Sequence, residues 1–519
     1  VVFLGGLRAV HTLEDALAIN HEAFAAACTA ARGLSTGGGL FVTVQDTGGD
    51  FGLAGSEPLR AWSGGLAGLA KTAAQEWPLA TVRAIDLQRG GRSPEALAEA
   101  LATELLAGGP EREVGLHADG ARTTLESYPL PLPASPPSLA GLVDQSSVIV
   151  ASGGARGVTA ATLIELARVA RPKLALLGRT ELVDDPPEVR SAADESAVSR
   201  ALLDAARAAG KALAPLELRA AVREVMARRE IRATLAAIAA AGAEAVYVSV
   251  DVQDPAMLAM ALDQVRRRLG PITGIVHGAG VLADKLLVDK TPEHFAAVFA
   301  TKVTGLQSLL AATDRDPIRV LCLFSSIAGR TGNAGQSDYA MANEVLNKVA
   351  AVEARRRGGA CVVRSLGWGP WESGMVTPAL RARFAELGVP LISLAAGGRM
   401  LLAELAAADA GEVEVVLGCA PRAEALAAAG SPPERTADVL VSAQTYPFLD
   451  SHRIQGSPVV PLVLVQEWFV RMVCALHPGH TVGEWRELKV RRGIRLGRYD
   501  SGGERFRIVC KPAAGGAPS

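Results

Sequence analysis

Val148-Ile149-Val150-Ala151-Ser152-Gly153-Gly154-Ala155-Arg156-Gly157-Val158-Thr159 is the stretch from which the architecture of this chain can be read. Its four leading apolar residues suit a buried parallel strand, and the glycines after them suit a tight turn. Beyond the turn, Leu163, Leu166, Ala167 and Ala170 recur at helical spacing. Strand, glycine turn and helix in that order let backbone N–H groups and a helix N-terminus receive a dinucleotide pyrophosphate. Gly153, Gly154, Arg156, Gly157 and Val158 are therefore candidate cofactor residues, with an ordinary tight turn as the alternative. A second strand, Leu174-Ala175-Leu176-Leu177, runs into Gly178-Arg179. An acidic residue at this point would bond a ribose hydroxyl and favour NAD, whereas an arginine suits the 2′-phosphate of NADP. A solvated surface arginine is the competing reading.

Farther along, Val320-Leu321-Cys322-Leu323-Phe324 reads as another buried parallel strand, ending at Ser325-Ser326. Tyr339 follows Ser326 by 13 positions and Asn343 follows Tyr339 by four. A helix beginning after Ser337 places Tyr339 and Asn343 on one face, a turn apart. A serine at a strand's carboxyl end facing a tyrosine on the next helix lets two hydroxyls hold one carbonyl oxygen. A phenol, with an ordinary pKa of about 10, is a poor acid at neutral pH unless a cation lowers that value. The arrangement thus calls for a nearby cation and a hydride donor.

With these residues in hand, the segment resembles the ketoreductase domain of polyketide and polyunsaturated fatty acid synthases, within the short-chain dehydrogenase/reductase superfamily. The likeness also runs through His277-Gly278-Ala279-Gly280-Val281-Leu282 after a strand at Ile272 to Val276, and through Lys302-Val303-Thr304-Gly305-Leu306 in the next helix. It continues in Gly367-Trp368-Gly369-Pro370-Trp371 and Gly374-Met375-Val376, and covers roughly residues 1–430. The wording around Gly153, His277 and Tyr339 is most similar to the polyunsaturated fatty acid synthase branch. The resemblance implies that Tyr339 protonates the substrate carbonyl and Ser326 bonds the same oxygen. It further implies that Lys302 lowers the tyrosine pKa and holds the nicotinamide ribose, while Asn343, standing where ordinary short-chain dehydrogenases carry lysine, orients that lysine and a relay water. Gly278, Ala279 and Gly280 join the cofactor set. Asp251-Val252, after a strand at Ala245 to Val250, matches the pair that borders the adenine; a plain helix N-cap at Asp251 is the alternative. Two positions depart from the family. Thr159 replaces the third glycine, so the helix is expected to start slightly farther from its strand, and Ser152 replaces a threonine while keeping the hydroxyl. Ala283-Asp284 partly matches the acidic motif of one product class, and residue 331 is threonine rather than the tryptophan of the other, which points to a 3R alcohol.

Composition is compatible with this reading. The chain has 519 residues, enough for three or four domains at about 150 residues each. With 53 basic and 54 acidic side chains, no broad field points to nucleic acid or membrane. Aromatics are only 4% of residues amid abundant alanine, which favours helix-rich α/β over all-β. The six cysteines form no CxxC pair, so no metal or redox motif is expected and a reducing cytoplasm is the simpler setting. No apolar run of 18 residues and no signal peptide is evident, so no membrane insertion is expected. The absence of an initial methionine and the Ala/Gly-rich end suggest a piece of something larger.

Domain organisation follows the same pattern. Val1 to Leu4, Leu40 to Val44 and Val82 to Leu87 read as strands, separated by helices at Gly65 to Glu76 and Pro94 to Leu106. Lacking a phosphate-cradling glycine turn, residues 1–140 are similar to the truncated, cofactor-free Rossmann half of the family. Pro129, Pro131, Pro133, Pro136 and Pro137 form a bridge to a catalytic half at 141–430. An insertion at about 181–241, with helical patterns at Glu195 to Ala209 and Leu216 to Ala241, reads either as a docking surface or as a solubilising excursion. Glycine- and alanine-rich sequence at 405–437 marks the next boundary. At 431–519, Tyr446 to His452, Gly456 and Pro461, followed by a helix from Leu462 to Leu476, resemble the start of a hotdog-fold dehydratase, an α+β domain. His452 would be its base, but as half a site it is more simply a docking or dimer element.

The expected function is NADPH-dependent reduction of a 3-oxoacyl thioester, carried by an acyl carrier protein beside neighbouring megasynthase domains. The alternatives are a silent ketoreductase-dehydratase scaffold, or the ketoreductase of an enediyne or modular polyketide synthase. A homodimer is compatible with either.

Overall fold

The computed structural model describes residues 1–55, 57–128, 139–373, 378–386, 389–407, 412–418, 435–476 and 493–510. The proline bridge from Pro129 to Pro137, the Gly374–Val376 segment and much of 405–437 lie outside them. The chain divides into two compact units, Val1–Leu97 with Arg112–Ala420, and Ala98–Glu111 with Pro421–Ser519.

The first unit holds two sheets. In the first, β1 (Val2–Gly6), β2 (Gly39–Gln45), β3 (Ala80–Leu87), β4 (Glu113–Leu116) and β5 (Arg122–Thr123) lie side by side in chain order. β1 to β4 are parallel, connected through α1 (Leu13–Gly37), α2 (Leu66–Glu76) and α3 (Pro94–Ala107); β5 turns back antiparallel. This half does without a nucleotide turn. The backbone N–H groups of Thr47, Gly49 and Phe51, just after β2, all donate to the buried carboxylate of Asp86 at 2.7–2.9 Å.

The second sheet contains β6 (Val148–Ser152), β7 (Lys173–Gly178), β8 (Ala245–Ser249), β9 (Gly274–His277), β10 (Val320–Ser326), β11 (Val362–Trp368) and β12 (Glu414–Leu417). Their spatial order is β12-β11-β10-β9-β6-β7-β8, and every neighbouring pair is parallel. Such strands are buried on both faces, which explains their unbroken apolar runs. The intervening helices are α4 (Gly157–Ala170), α5 (Glu195–Ala208), α6 (Pro215–Ala240), α7 (Pro255–Leu269), α8 (Pro292–Phe299), α9 (Gly305–Ala312), α10 (Ile327–Thr331) and α11 (Ser337–Arg357), with α12 (Pro378–Glu386) and α13 (Leu394–Ala406) after β11. The strand order reverses between β6 and β9, so the ligand crevice of a doubly wound sheet opens there, at the strands' carboxyl ends.

The two sheets share one unit because their helices interlock. Gly68 of α2 lies so close to α11 that a Cβ there would sit 2.7 Å from the Ala340 carbonyl oxygen. Phe24 of α1 stacks on Phe295 of α8 at 4.4 Å between ring centroids. A buried ion cluster crosses the same boundary. Lys71 reaches Glu113 at 2.9 Å and Glu344 at 3.4 Å, Lys348 reaches Glu344 at 3.2 Å, and Arg330 reaches Glu113 at 2.5 Å. The helical run Pro292–Ala312 is long and apolar enough to cross a membrane, yet 61% of its apolar window is buried inside the protein. It is a core helix of this unit.

Some element assignments differ from the sequence reading. The strand expected at Ile272 to Val276 starts at Gly274 and takes in His277. Asp251 is not a helix N-cap: Asp254 caps α7 by accepting from Ala256 N and Met257 N, because Pro255 occupies the first helical turn.

In the second unit, β13 (Arg435–Val441) pairs antiparallel with β17 (Glu504–Cys510), and β14 (Arg453–Ile454), β15 (Ser457–Val460) and β16 (Ile494–Arg495) form a second antiparallel sheet. The helix α14 (Leu462–Leu476) contributes Trp468 and Met472 to a core with Val441, Leu449, Val460 and Tyr499.

Candidate active site

At the crevice, Ser152 ends β6 and Gly153 turns with φ 67°. A Cβ on Gly153 would lie 2.9 Å from Ala279 N, so the glycine turn and the segment after β9 approach as only a glycine permits. Gly154, Arg156, Gly157 and Val158 follow into the start of α4, and Gly278 N donates to Ser152 O at 2.9 Å. His277, buried at the end of β9, stitches the floor together. Its Nε2 faces the Lys302 carbonyl at 2.8 Å and must carry the proton, so Nδ1 accepts from Ser152 Oγ–H at 2.7 Å. Burial and the adjacent lysine push its pKa down to about 3, which keeps it neutral. Sequence reading missed this bridge. A histidine closing one apolar strand beside a serine closing its neighbour was the available signal.

Lys302 lies in a π-helical turn, Ala300–Thr304, between α8 and α9, rather than in the regular helix expected. Such turns often mark functional positions. Its Nζ donates to Phe324 O at 2.8 Å and sits 5.4 Å from the centroid of the Tyr339 ring. Ser326 closes β10, and its Oγ accepts from Ala328 N at 3.2 Å, leaving the hydroxyl proton free to donate. Tyr339 and Asn343 share a face of α11, and Asn343 Nδ2 bonds the Tyr339 carbonyl at 2.8 Å. The Ser326 and Asn343 side chains both act on the phenol, each favouring its ionised form. Asn343 Oδ1 is buried with no hydrogen-bond partner among the described residues, an acceptor that a bound group or water would satisfy. The structure thus brings Ser326, Tyr339, Asn343 and Lys302 together beside the glycine turn.

The expected electrostatics need correcting. Although Tyr339 keeps some exposure, its surroundings desolvate the phenol and push its pKa above the ordinary value. The Asp284 carboxylate adds to the rise, while the Asn343 and Ser326 hydrogen bonds oppose it. Burial drops Lys302 to about 7, so at neutral pH it is partly discharged and does not lower the phenol as anticipated.

On the adenosine side, Gly178 and Arg179 end β7. Arg179 is 62% exposed with NH1 4.0 Å from Asp251 Oδ2, and Val252 is buried. The insertion helix α6 contributes an unforeseen residue. Glu230 accepts from Gly157 N at 2.8 Å and pairs with Arg156 at 2.7 Å, so a carboxylate rests on an amide that an anionic ligand would seek. His452 belongs to the second unit and is exposed.

A doubly wound parallel sheet with a glycine turn at its switch point is a Rossmann-type fold. Residues 147–373 match the family model described as "KR domain", and the chain carries a KR, or ketoreductase, domain. Domains of this family depend on NAD(P)H. Over 455 residues the chain is 36% identical to one of the polyunsaturated fatty acid synthase subunits of Thraustochytrium sp.; the match covers 84% of this chain and 16% of that protein. It is 38% identical over 170 residues to the polyketide synthase GfsB of Streptomyces halstedii, covering 32% of this chain and 3% of that one. Among solved structures, a ketoreductase domain from the bacillaene assembly line matches with TM-score 0.57 and 21% identity, over 79% of this chain and 84% of its own. A structure of A-type ketoreductases from a modular polyketide synthase matches with TM-score 0.58 and 22% identity, over 80% and 77%. These last two likenesses concern the fold. The chain spans a small part of the length of the synthases it matches.

Proposed function

We propose that this chain reduces a 3-oxoacyl thioester, presented on the phosphopantetheine arm of an acyl carrier protein, to the 3-hydroxyacyl thioester, as part of a cytoplasmic megasynthase of the polyunsaturated fatty acid type. The observation that carries the proposal is the meeting of Ser326, Tyr339, Asn343 and Lys302 at the carboxyl end of β10, beside the glycine turn after β6.

The close approach of Gly153 to Ala279 and the N-terminal turn of α4 fit a dinucleotide. Gly153, Gly154, Arg156, Gly157 and Val158 would hold its pyrophosphate, Gly278, Ala279 and Gly280 the nicotinamide side, and Asp251 and Val252 the adenine side. Arg179 would hold the 2′-phosphate, which makes NADPH the cofactor. Bound there, the reduced nicotinamide supplies the hydride. Tyr339 donates its phenolic proton to the carbonyl oxygen, and the Ser326 hydroxyl donates a hydrogen bond to the same atom. Lys302, titrating near neutrality, holds the ribose and returns the proton to Tyr339, and Asn343 Oδ1 holds the water that links them to solvent.

Residues 1–140 then brace a catalytic half at 141–430, and residues 431–519 form a dehydratase-like hotdog segment that carries His452. The close packing of α2 on α11, and the antiparallel strands around α14, support this division.

Consumption of NADPH against 3-oxoacyl thioesters of graded acyl length tests the reading. Turnover that varies with acyl length is expected; a chain that binds NADPH but oxidises it with none of them would refute it.

A further inference from the structure

Through the last turn of α2, the half without a cofactor turn touches two segments of the catalytic half. Glu76 accepts from Leu287 N at 2.7 Å with one carboxylate oxygen and from Gly335 N at 2.8 Å with the other. Leu287 belongs to the segment that leads from β9 to α8, and Gly335 to the segment that leads from α10 to the tyrosine helix. The preceding residue adds to the hold on the latter: Gln75 Nε2 donates to Thr331 O at 2.9 Å and its Oε1 accepts from Ala334 N at 3.2 Å.

These two segments border the phenol and touch each other. Lys285 N donates to Gly335 O at 2.9 Å, Gln336 Nε2 donates to Asp284 Oδ2 at 3.0 Å, and the Asp284 charge is felt at Tyr339. A ketone held with its oxygen on Tyr339 and Ser326 must send its acyl and thioester arms past the walls of that site. With oxygen and hydride source both fixed, exchanging the two arms presents the opposite carbonyl face and yields the opposite alcohol. The placement of the bordering segments therefore decides which arm goes where.

We propose that Glu76 is a positioning residue for this reduction: its carboxylate ties the 278–291 and 332–336 segments together and so fixes the substrate's facial choice. The inference rests on the ketoreductase reading above. A carboxylate suits the task because it offers two acceptors to two amides and no competing donor.

The test uses the full chain and the variants Glu76→Gln and Glu76→Ala. Glutamine keeps one acceptor and turns an N–H₂ group toward the other amide, so it breaks one tie with little change of volume. We expect NADPH affinity to be unchanged, kcat to fall by about tenfold to a hundredfold, as for other small misplacements of a reacting group, and the minor 3-hydroxy enantiomer to rise. Amide hydrogen exchange should quicken at Leu287 and Gly335. Wild-type enantiomer ratio and kcat in both variants would overturn the inference, as would a loss of NADPH binding in step with turnover. A wild-type chain that oxidises no NADPH would refute ketoreduction itself, while the exchange measurement would still decide whether Glu76 ties the two segments.

Discussion

The ammonium nitrogen of Lys302 lies 5.4 Å from the centroid of the Tyr339 ring and gives its hydrogen bond to the Phe324 carbonyl, 2.8 Å away. It approaches Tyr339 without bonding the phenol. Burial lowers the lysine to about 7 while it raises the tyrosine, so near neutrality Lys302 is the group that changes charge.

A pH profile follows from those directions. A lysine with a depressed pKa is charged below that value and neutral above it, so kcat/KM should decline as pH rises through about 7, with Tyr339 protonated throughout. Lys302→Arg, charged at every accessible pH, should lose that limb. A wild-type profile flat from about pH 6 to 9, a range that brackets the lysine's transition, would remove Lys302 from the proton path.

Arg179 is the residue proposed to set the cofactor preference. Its exposed guanidinium at the end of β7 stands beside Asp251, free to turn toward a phosphate. Charge-assisted hydrogen bonds contribute about 1.5–3 kcal/mol, so Arg179→Ala should raise KM for NADPH by about tenfold to a hundredfold and leave KM for NADH nearly unchanged. Equal effects on both would argue against phosphate recognition.

The two halves should separate in acid. Glu344, buried among Lys71, Lys348 and Arg330, is held down to about 2 by those cations, against an ordinary value of 4.5. Its folded pKa is the lower one, so its contribution is complete above about pH 4.5 and is lost as pH falls toward 2. Glu344→Gln should cost about 3–5 kcal/mol at neutral pH, since it strands buried cations. Urea titrations at about pH 7 and about pH 3 should show a far smaller difference between variant and wild type in acid. An equal difference at both would contradict the assignment.

What could be read beforehand was local or periodic. The spacing of Ser326, Tyr339 and Asn343 follows from one strand end and one helix face, and the apolar run from Val320 to Phe324 reads as a strand buried on both sides. The π turn at Lys302 left no mark in the hydrophobic pattern, which continues smoothly from Pro292 to Ala312. Asp251 and Asp254 are equally good caps on paper, and only Pro255 favours the second. The remaining features join residues remote in sequence: His277 lies 125 positions from Ser152, and Glu76 lies 211 from Leu287 and 259 from Gly335. Topology alone brings such pairs together. The Lys302 charge state likewise depends on the depth of the cleft, which no stretch of sequence records.

The most direct measurement compares wild type and Tyr339→Phe with a 3-oxoacyl thioester, following NADPH oxidation at saturating substrate and NADPH binding separately. We expect NADPH to bind both proteins alike and turnover in the variant to fall by about a hundredfold or more, the contribution of a positioned general acid. Turnover in Tyr339→Phe equal to wild type would show that another group protonates the carbonyl.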